Sequence, residues 1–169
     1  PYRVYIGIRS EITRLIEDFY QFRTAVQGAG REFDSMSEAL GNLEQQVDIS
    51  HQPELKKQKH IIRAVDYLLQ TAIRERASDI HLEPKRHGGS VRFRIDGILH
   101  TLYQLPPAVH SAMLSRIKSQ SRLDIAEKRR PQDGRVQLVI DGDKTDVRVS
   151  TIPTAFGEKM VMRLLTSQS

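Results

Sequence analysis

The 169-residue chain contains no cysteine and no tryptophan, and it has only five phenylalanines and five tyrosines. Without cysteine it cannot form a disulfide scaffold or a thiolate zinc or iron–sulfur site. Its six histidines show no H-E-x-x-H spacing, so we expect no metal site. No run of about 18 apolar residues is present, so no membrane-spanning helix is predicted. The 38% of hydrophobic residues is nevertheless enough for a folded domain.

Two nucleotide-binding motifs are also missing. None of the ten glycines is followed by lysine, as a phosphate-binding loop requires. Gly28-Ala29-Gly30 is not followed by the third glycine of a dinucleotide fingerprint. No nucleophile lies beside a base, and Asp79, Glu83 and Asp96 are interpreted as turn caps rather than as an acidic pair. The sequence therefore predicts no catalytic residue in this chain.

Charge is distributed unevenly along the chain. The net charge is +5, but residues 1–58 hold seven Lys and Arg against nine Asp and Glu, whereas residues 59–169 hold nineteen against twelve. The basic excess thus lies entirely in the C-terminal part. Such an excess indicates a polyanionic partner, either nucleic acid, a membrane surface or nucleotide phosphates, unless it is only a solvated surface.

The N-terminal third has weak signals. A short strand at residues 3–8 and a helix from Ser10 suggest that residues 1–25 are the C-terminal remnant of a preceding domain. Residues 26–58 combine glycine and serine with sparse apolar residues, which predicts a flexible linker with one short helix near 37–46. Because the chain begins at Pro1, we expect it to be part of a longer protein.

Hydrophobic periodicity is strong over residues 59–169. Apolar residues at helical spacing predict a helix over 60–77, and Pro107 marks the start of another. Alternating apolar and polar residues between turn signals such as Asp96-Gly97 predict strands. The predicted strands are Ile80–Leu82, which Pro84 should stop, 91–95, 98–103, 136–140, Val147–Val149 and Lys159–Leu165, with a charged loop over 123–135 and another over 152–157. The fold class is therefore α+β, a mainly antiparallel sheet with helices packed on it.

Five segments in series resemble one family, the secretion ATPases of type II secretion and type IV pilus assembly (the GspE/PilB group). The resemblance covers roughly residues 60–165, and both the order and the spacing of the segments match. The segments are Arg76–Pro84, Val91–Gly97, Leu123–Arg135, Asp146–Thr154 and Gly157–Leu165.

The resemblance implies that residues 59–169 form the PAS-like second N-terminal domain of such an enzyme, ahead of a RecA-like ATPase domain. The parent protein would be a cytoplasmic homo-hexamer at the inner membrane that hydrolyses ATP with Mg²⁺ to drive protein export or pilus assembly. Its partners would be the ATPase domain of the same or a neighbouring subunit and inner-membrane platform proteins, and not nucleic acid. The segment alone should neither hydrolyse ATP nor bind it well. The resemblance does not separate secretion from pilus assembly.

Three arginines become candidate phosphate ligands through this resemblance. By motif position, Arg148 and Arg163 would contact the terminal phosphate of ATP held on the ATPase domain. Both alternate with apolar residues, so the pattern puts them on the polar face of two strands. Arg94 is equally interpretable as a phosphate contact, a subunit contact or a plain surface charge. The simpler alternative for Arg148 and Arg163 is an ion pair with an acid such as Asp146.

Other polar residues receive structural interpretations. We expect Arg129, Arg130 and Arg135 to hold the charged loop by ion pairs with Glu127 and Asp133, and His81 to be packed and hydrogen-bonded. Two other functions compete with a secretion-ATPase domain. A basic nucleic-acid-binding module is disfavoured by the low aromatic content, and a PAS-like small-ligand sensor lacks a recognisable apolar pocket.

Overall fold

The structure is a computed structural model that describes residues 9–41, 53–140 and 142–165. Within these ranges three helices and six strands follow one another along the chain. They are α1 (Arg9–Gly41), α2 (Pro53–Arg74), β1 (Asp79–Lys85), β2 (Gly88–Ile95), β3 (Ile98–Leu105), α3 (Pro107–Gln120), β4 (Gln132–Ile140), β5 (Asp143–Thr154) and β6 (Gly157–Leu165). The predicted strand at residues 3–8 and the last part of the predicted 37–46 helix lie outside the described residues.

The six strands form one open sheet in the order β3-β2-β1-β6-β5-β4, and every neighbouring pair is antiparallel. The sheet consists of two three-stranded meanders, β1 to β3 and β4 to β6, and pairing of β1 with β6 joins them. Helix α3 connects the meanders along the chain. The predicted α+β class with an antiparallel sheet and packed helices is confirmed.

One face of the sheet is apolar and carries the core. Ile80 on β1 lies opposite Phe93 on β2 and Met162 on β6, and all three are at most 1% exposed. The apolar residues of the three helices belong to the same core cluster, including Val26, Val65 and Met113. Because side chains alternate along a strand, the residues between these positions point to the opposite face.

Helix α1 corrects the prediction for residues 26–41, which continue the helix instead of forming irregular chain. Ala25, Val26 and Ala29 are buried in the core, so this stretch has an apolar side. A Cβ added to Gly28 would lie 2.8 Å from the His60 ring on α2. Gly28 therefore permits close helix packing rather than flexibility. How residues 1–25, 26–58 and 59–169 divide into domains stays a prediction.

All six strands are longer than predicted, and two of them continue through a proline. β1 does not stop at Pro84, which pairs with Gly89 on β2. The β1–β6 ladder ends at Leu82, so the missing N–H of Pro84 removes no bond on that side. β5 continues through Ile152 and Pro153, where we expected a loop. In the described part of the chain, no helix is long and apolar enough to cross a membrane.

Candidate functional site

The polar face of the sheet carries a line of arginines that crosses five strands. We call Arg94, Arg163, Arg148 and Arg135 the arginine row. They lie on β2, β6, β5 and β4, respectively. Arg148 is the register partner of both Arg163 and Arg135, and Asp79 on β1 lies between Arg94 and Arg163. The structure thus brings together all three predicted phosphate ligands, Arg94, Arg148 and Arg163, on one surface.

Alternation within the strands explains why these side chains share a face. Val147 and Val149 on either side of Arg148 are fully buried, as is Met162 beside Arg163. Burial of these apolar neighbours on the core side leaves the intervening arginines on the polar side.

Asp79 is the buried acid in this row, with a side chain only 8% exposed. Its Oδ1 accepts a hydrogen bond from Nε of Arg163 at 3.0 Å, and its Oδ2 lies 3.5 Å from Nε of Arg94. The Ser78 hydroxyl donates to the same Oδ2 at 2.9 Å. Burial raises the pKa of Asp79, but the hydrogen bonds from Arg163 and Ser78 and the charge of Arg163 outweigh it, so the pKa lies below its ordinary value.

Arg163 and Arg148 are the most accessible of the predicted ligands, with side chains 65% and 56% exposed. Arg163 contacts Asp79 through Nε, and in the described part of the chain its terminal NH₂ groups have no acidic partner. Nη2 of Arg148 lies 3.6 Å from Oδ1 of Asp133, which is itself exposed and accepts a hydrogen bond from Ser150. Both arginines therefore retain N–H donors that have no hydrogen-bond acceptor among the residues that the structure describes.

The acid considered as the alternative partner does not contact these arginines. Asp146 accepts a hydrogen bond from the Gln137 side-chain amide at 3.1 Å. Arg94 makes more contacts within the fold than the other two arginines. Its Nη1 donates a hydrogen bond to the Gly97 carbonyl at 2.9 Å, and its Nε approaches Asp79.

A second carboxylate, Glu83, lies on the same face of β1. It contacts Lys159 at 3.0 Å, Lys85 at 3.4 Å and Arg92 at 3.5 Å. Burial raises the pKa of Glu83, but the hydrogen bond and charge of Lys159 and the charges of Arg92 and Lys85 lower it below its ordinary value. The interpretation of Asp79 and Glu83 as turn caps is therefore wrong, because both anchor basic side chains of neighbouring strands.

His81 lies between these two acids and is 9% exposed. Burial and the nearby charge of Lys159 lower its pKa, so the imidazole is neutral near neutral pH. Neither ring nitrogen has a hydrogen-bond partner among the described residues. The prediction that His81 is packed is confirmed, whereas its predicted hydrogen bond is not present.

The charged loop between α3 and β4 is held by different residues from those predicted. The Lys118 ammonium is 1% exposed and donates to the Glu158 carboxylate at 2.8 Å and to the Glu127 carbonyl at 2.6 Å. The Gln132 side chain adds two hydrogen bonds of 2.9 Å with the backbone of Asp124.

The ion pairs predicted for this loop are wrong. Arg129 uses its backbone N–H, which donates to the Glu127 carboxylate at 2.6 Å, and that bond lowers the pKa of Glu127. Asp133 contacts Arg148 rather than Arg129, Arg130 or Arg135. The loop is therefore fixed by a buried lysine, a glutamine and two carboxylates that accept backbone N–H groups, and its arginines are exposed.

The donors on this face suit phosphate oxygens rather than a metal ion. Guanidinium groups bind phosphate bidentately and stay charged at any physiological pH. Among residues 9–41, 53–140 and 142–165 no group of three or more His, Asp and Glu is placed to hold a metal. Asp79 and Glu83 are occupied by cationic side chains. The described residues of this face therefore suit phosphate oxygens and do not fit a Mg²⁺ site.

Known proteins of one family are similar to this chain over most of its length. Residues 54–169 match the family described as Type II/IV secretion system protein. The chain is 44% identical over 157 residues to the type IV pilus assembly ATPase TfpB of Acinetobacter baylyi, covering 91% of this chain and 26% of that protein. It is 41% identical over 169 residues to type II secretion system protein E of Xanthomonas campestris pv. campestris, covering 100% and 29%.

A third relative is the type II secretion system ATPase E of Vibrio cholerae, which is 40% identical over 157 residues, covering 92% of this chain and 31% of that protein. The chain thus spans less than a third of the length of these relatives.

Proposed function

This chain belongs to the type II/IV secretion system protein family, as its five segments predicted, and on that basis we propose that it presents phosphate-binding arginines to the nucleotide of a secretion or pilus-assembly ATPase. The nucleotide would be ATP, held with Mg²⁺ by a RecA-like domain of the same or a neighbouring subunit. This chain would supply Arg148 and Arg163, with Arg94 in a smaller role. It would hold no catalytic residue or metal of its own.

One observation carries the proposal. Arg148 and Arg163 are register partners on adjacent strands, and both point their side chains from an exposed sheet face. Cβ atoms of such partners lie about 4.5–5.5 Å apart, so two guanidinium groups can reach one phosphoryl group. Like charges placed directly opposite each other are unfavourable for the fold. An anionic ligand would turn this unfavourable pair into a binding site.

The chemistry follows from where charge develops during phosphoryl transfer. Guanidinium groups stabilise charge on the transferring phosphoryl oxygens, and a donor fixed in advance is worth most in the transition state. Arg94 contributes less in this proposal, since one of its N–H groups already binds the Gly97 carbonyl.

The setting of this site is likewise a proposal. The parent protein would assemble as a hexamer in the cytoplasm, at the inner membrane and against its platform proteins. Arginines supplied from a domain outside the ATPase core would link hydrolysis to movement of that domain, and the movement would drive export or pilus assembly. The 44% identity to a pilus assembly ATPase and the 41% identity to a type II secretion protein support this setting equally for both systems.

The test is a set of variants in a full-length ATPase of this family that carries this segment. Arg148→Ala and Arg163→Ala should each lower kcat by about 10³-fold if the arginine acts alone, and by less if the pair shares the charge. Nucleotide affinity should change little. Lysine at either position should rescue poorly, because it lacks the bidentate fork. Arg86→Ala removes an exposed arginine from the β1–β2 turn and should leave kcat unchanged.

Two results would contradict the proposal. Turnover close to wild type in both alanine variants would remove the arginines from the reaction. Loss of folding or hexamer assembly without a specific loss of turnover would assign the arginines a structural role. Binding of DNA by the 169-residue chain, with a steep salt dependence and no response to ATP, would favour the nucleic-acid-binding alternative instead.

A further inference from the structure

We propose that Asp79 is a positioning residue for the arginine row: it fixes the Arg163 guanidinium through Nε and so presents the terminal NH₂ groups of Arg163 to a phosphate. This inference rests on the function proposed above and adds to it a residue that touches no nucleotide itself. It also distinguishes Arg163, whose guanidinium is oriented before a phosphate binds, from Arg148, whose guanidinium is not.

The geometry of the contact supports this role. Arg163 donates to Asp79 through Nε at 3.0 Å, which uses the inner side of the guanidinium. The outer edge, with both terminal NH₂ groups, is the edge that binds a phosphate bidentately. An arginine side chain loses rotamer entropy on binding, so a guanidinium that is already held in place binds with a smaller loss.

The position of Asp79 is itself fixed. Ser78 donates to Oδ2 at 2.9 Å, and Arg94 approaches the same oxygen from the other side. Asp79 is the register partner of both Arg94 and Arg163, so the carboxylate lies in line with the row. Through these contacts its side chain is 92% buried, whereas the Arg163 side chain that it holds is 65% exposed.

Stability alone does not account for this arrangement. An ion pair with an exposed partner contributes little to stability, and burying the carboxylate is unfavourable. The row also sets Arg163 against Arg148, and without a nearby negative charge the two side chains would turn away from each other. The Asp79 carboxylate keeps the Arg163 side chain in the arginine row. Binding of a phosphate depends on this position of Arg163 more than the stability of the fold does.

Arg148 differs from Arg163 in how firmly it is held. Its contact with Asp133 is 3.6 Å long, and both side chains are more than half exposed. We therefore expect Arg163 to be oriented before nucleotide arrives, and Arg148 to become ordered only on the phosphate.

The experiment compares Asp79→Asn with Glu83→Gln in the full-length ATPase. Both changes replace a carboxylate on the polar face of β1 by its isosteric amide, but only Asp79 contacts Arg163. Asp79→Asn should lower kcat by about 10- to 100-fold through misplacement of Arg163, with nucleotide affinity nearly unchanged. Glu83→Gln should change kcat by less than about 3-fold. Asp79→Glu keeps the charge and should retain an intermediate kcat.

A double-mutant cycle separates positioning from a general structural effect. If Asp79 acts through Arg163, Asp79→Asn should lower kcat no further in the Arg163→Ala background. Additive losses in kcat would overturn the inference. A second readout uses the 169-residue chain without nucleotide: the Arg163 Nε–H should give a protected NMR signal that Arg163→Lys removes and that Asp79→Ala abolishes, because alanine offers no acceptor at position 79. Persistence of that signal in Asp79→Ala would also overturn it.

The outcomes distinguish this inference from the function on which it rests. If Arg163→Ala keeps normal turnover, the proposed function fails and Asp79 has nothing to position. If Arg163→Ala loses turnover while Asp79→Asn keeps it, the proposed function stands and only the role of Asp79 is wrong. If Asp79→Asn fails to fold, the Asp79→Glu variant tests the role of Asp79 instead. Its displaced carboxylate should shift the NMR signal of Arg163 and lower kcat.

Discussion

Lys118 offers the sharpest test of how the sheet, α3 and the charged loop are joined. Its ammonium lies between the Glu158 carboxylate on β6 and the Glu127 carbonyl in the loop, at 2.8 and 2.6 Å. The side chains of Lys118 and Glu158 are 1% and 6% exposed. Lys118→Met fills a similar volume but removes the charge. It therefore leaves the buried Glu158 carboxylate without its cationic partner, whereas the Glu127 carbonyl keeps a hydrogen bond from the Gln132 side-chain amide at 3.1 Å.

The magnitude follows from these contacts. Breaking a buried ion pair by removing one partner destabilises a protein by about 3–5 kcal/mol. The Glu127 carbonyl adds little to this loss, because it still accepts the hydrogen bond from Gln132. Because the whole domain is stable by only about 5–15 kcal/mol, Lys118→Met should lower the free energy of unfolding by a large fraction. Adding Glu158→Gln to Lys118→Met should restore part of the loss, since it removes the unpaired charge.

The assay is urea unfolding of the 169-residue chain, followed by circular dichroism. Lys128→Met is the matched control, because Lys128 is an exposed lysine of the same loop. It should change the free energy of unfolding by less than about 0.5 kcal/mol. A loss below about 1 kcal/mol in Lys118→Met would refute the reasoning, as would a double variant less stable than Lys118→Met alone.

Two further predictions concern the arginine row. Arg148→Thr removes a charge that lies opposite both Arg163 and Arg135. The 169-residue chain should therefore become more stable to urea by about 0.5 kcal/mol, while the full-length ATPase loses turnover. A destabilised variant would show that the charges of the arginine row do not repel one another. The Asp79 pKa is lowered in the folded chain, so its stabilising effect is complete above the unfolded pKa and is lost as pH falls through the folded value. The stability difference between wild type and Asp79→Asn should be constant from about pH 7 to pH 5 and shrink below about pH 4; a difference that grows on acidification would reverse the sign of the shift.

The sequence predicted the strands and the fold class well because their evidence is local. Val91, Phe93 and Ile95 alternate with Arg92 and Arg94, and that alternation requires a half-buried strand whatever its neighbours are. The Asp96-Gly97 turn is local in the same way, since both residues adopt positive φ, 49° and 79°.

The failures concern features that depend on distant residues. Gly28 indicated a flexible chain, but its role is set by the His60 ring on another helix. Asp79 looked like a turn cap because the arginine that it holds is 84 residues away. Lys118 gave no signal, since a lysine on a helix is ordinarily exposed and its partner Glu158 is 40 residues away. The arginines themselves were found only through the family resemblance, because spacing alone did not distinguish a ligand from a surface charge.

The pairing of β1 with β6 has a consequence for the order of folding. Each meander contains only hairpin contacts between neighbouring strands, which close small loops, whereas Asp79 meets Arg163 only when the two meanders join. Non-local pairing is the slow part of folding, so this junction forms late. Arg94 and Asp79 come from one meander and Arg148 and Arg163 from the other. A half-folded chain therefore displays only part of the arginine row, and under the proposed function it could not bind a phosphate with both Arg94 and Arg163 until the two meanders have joined.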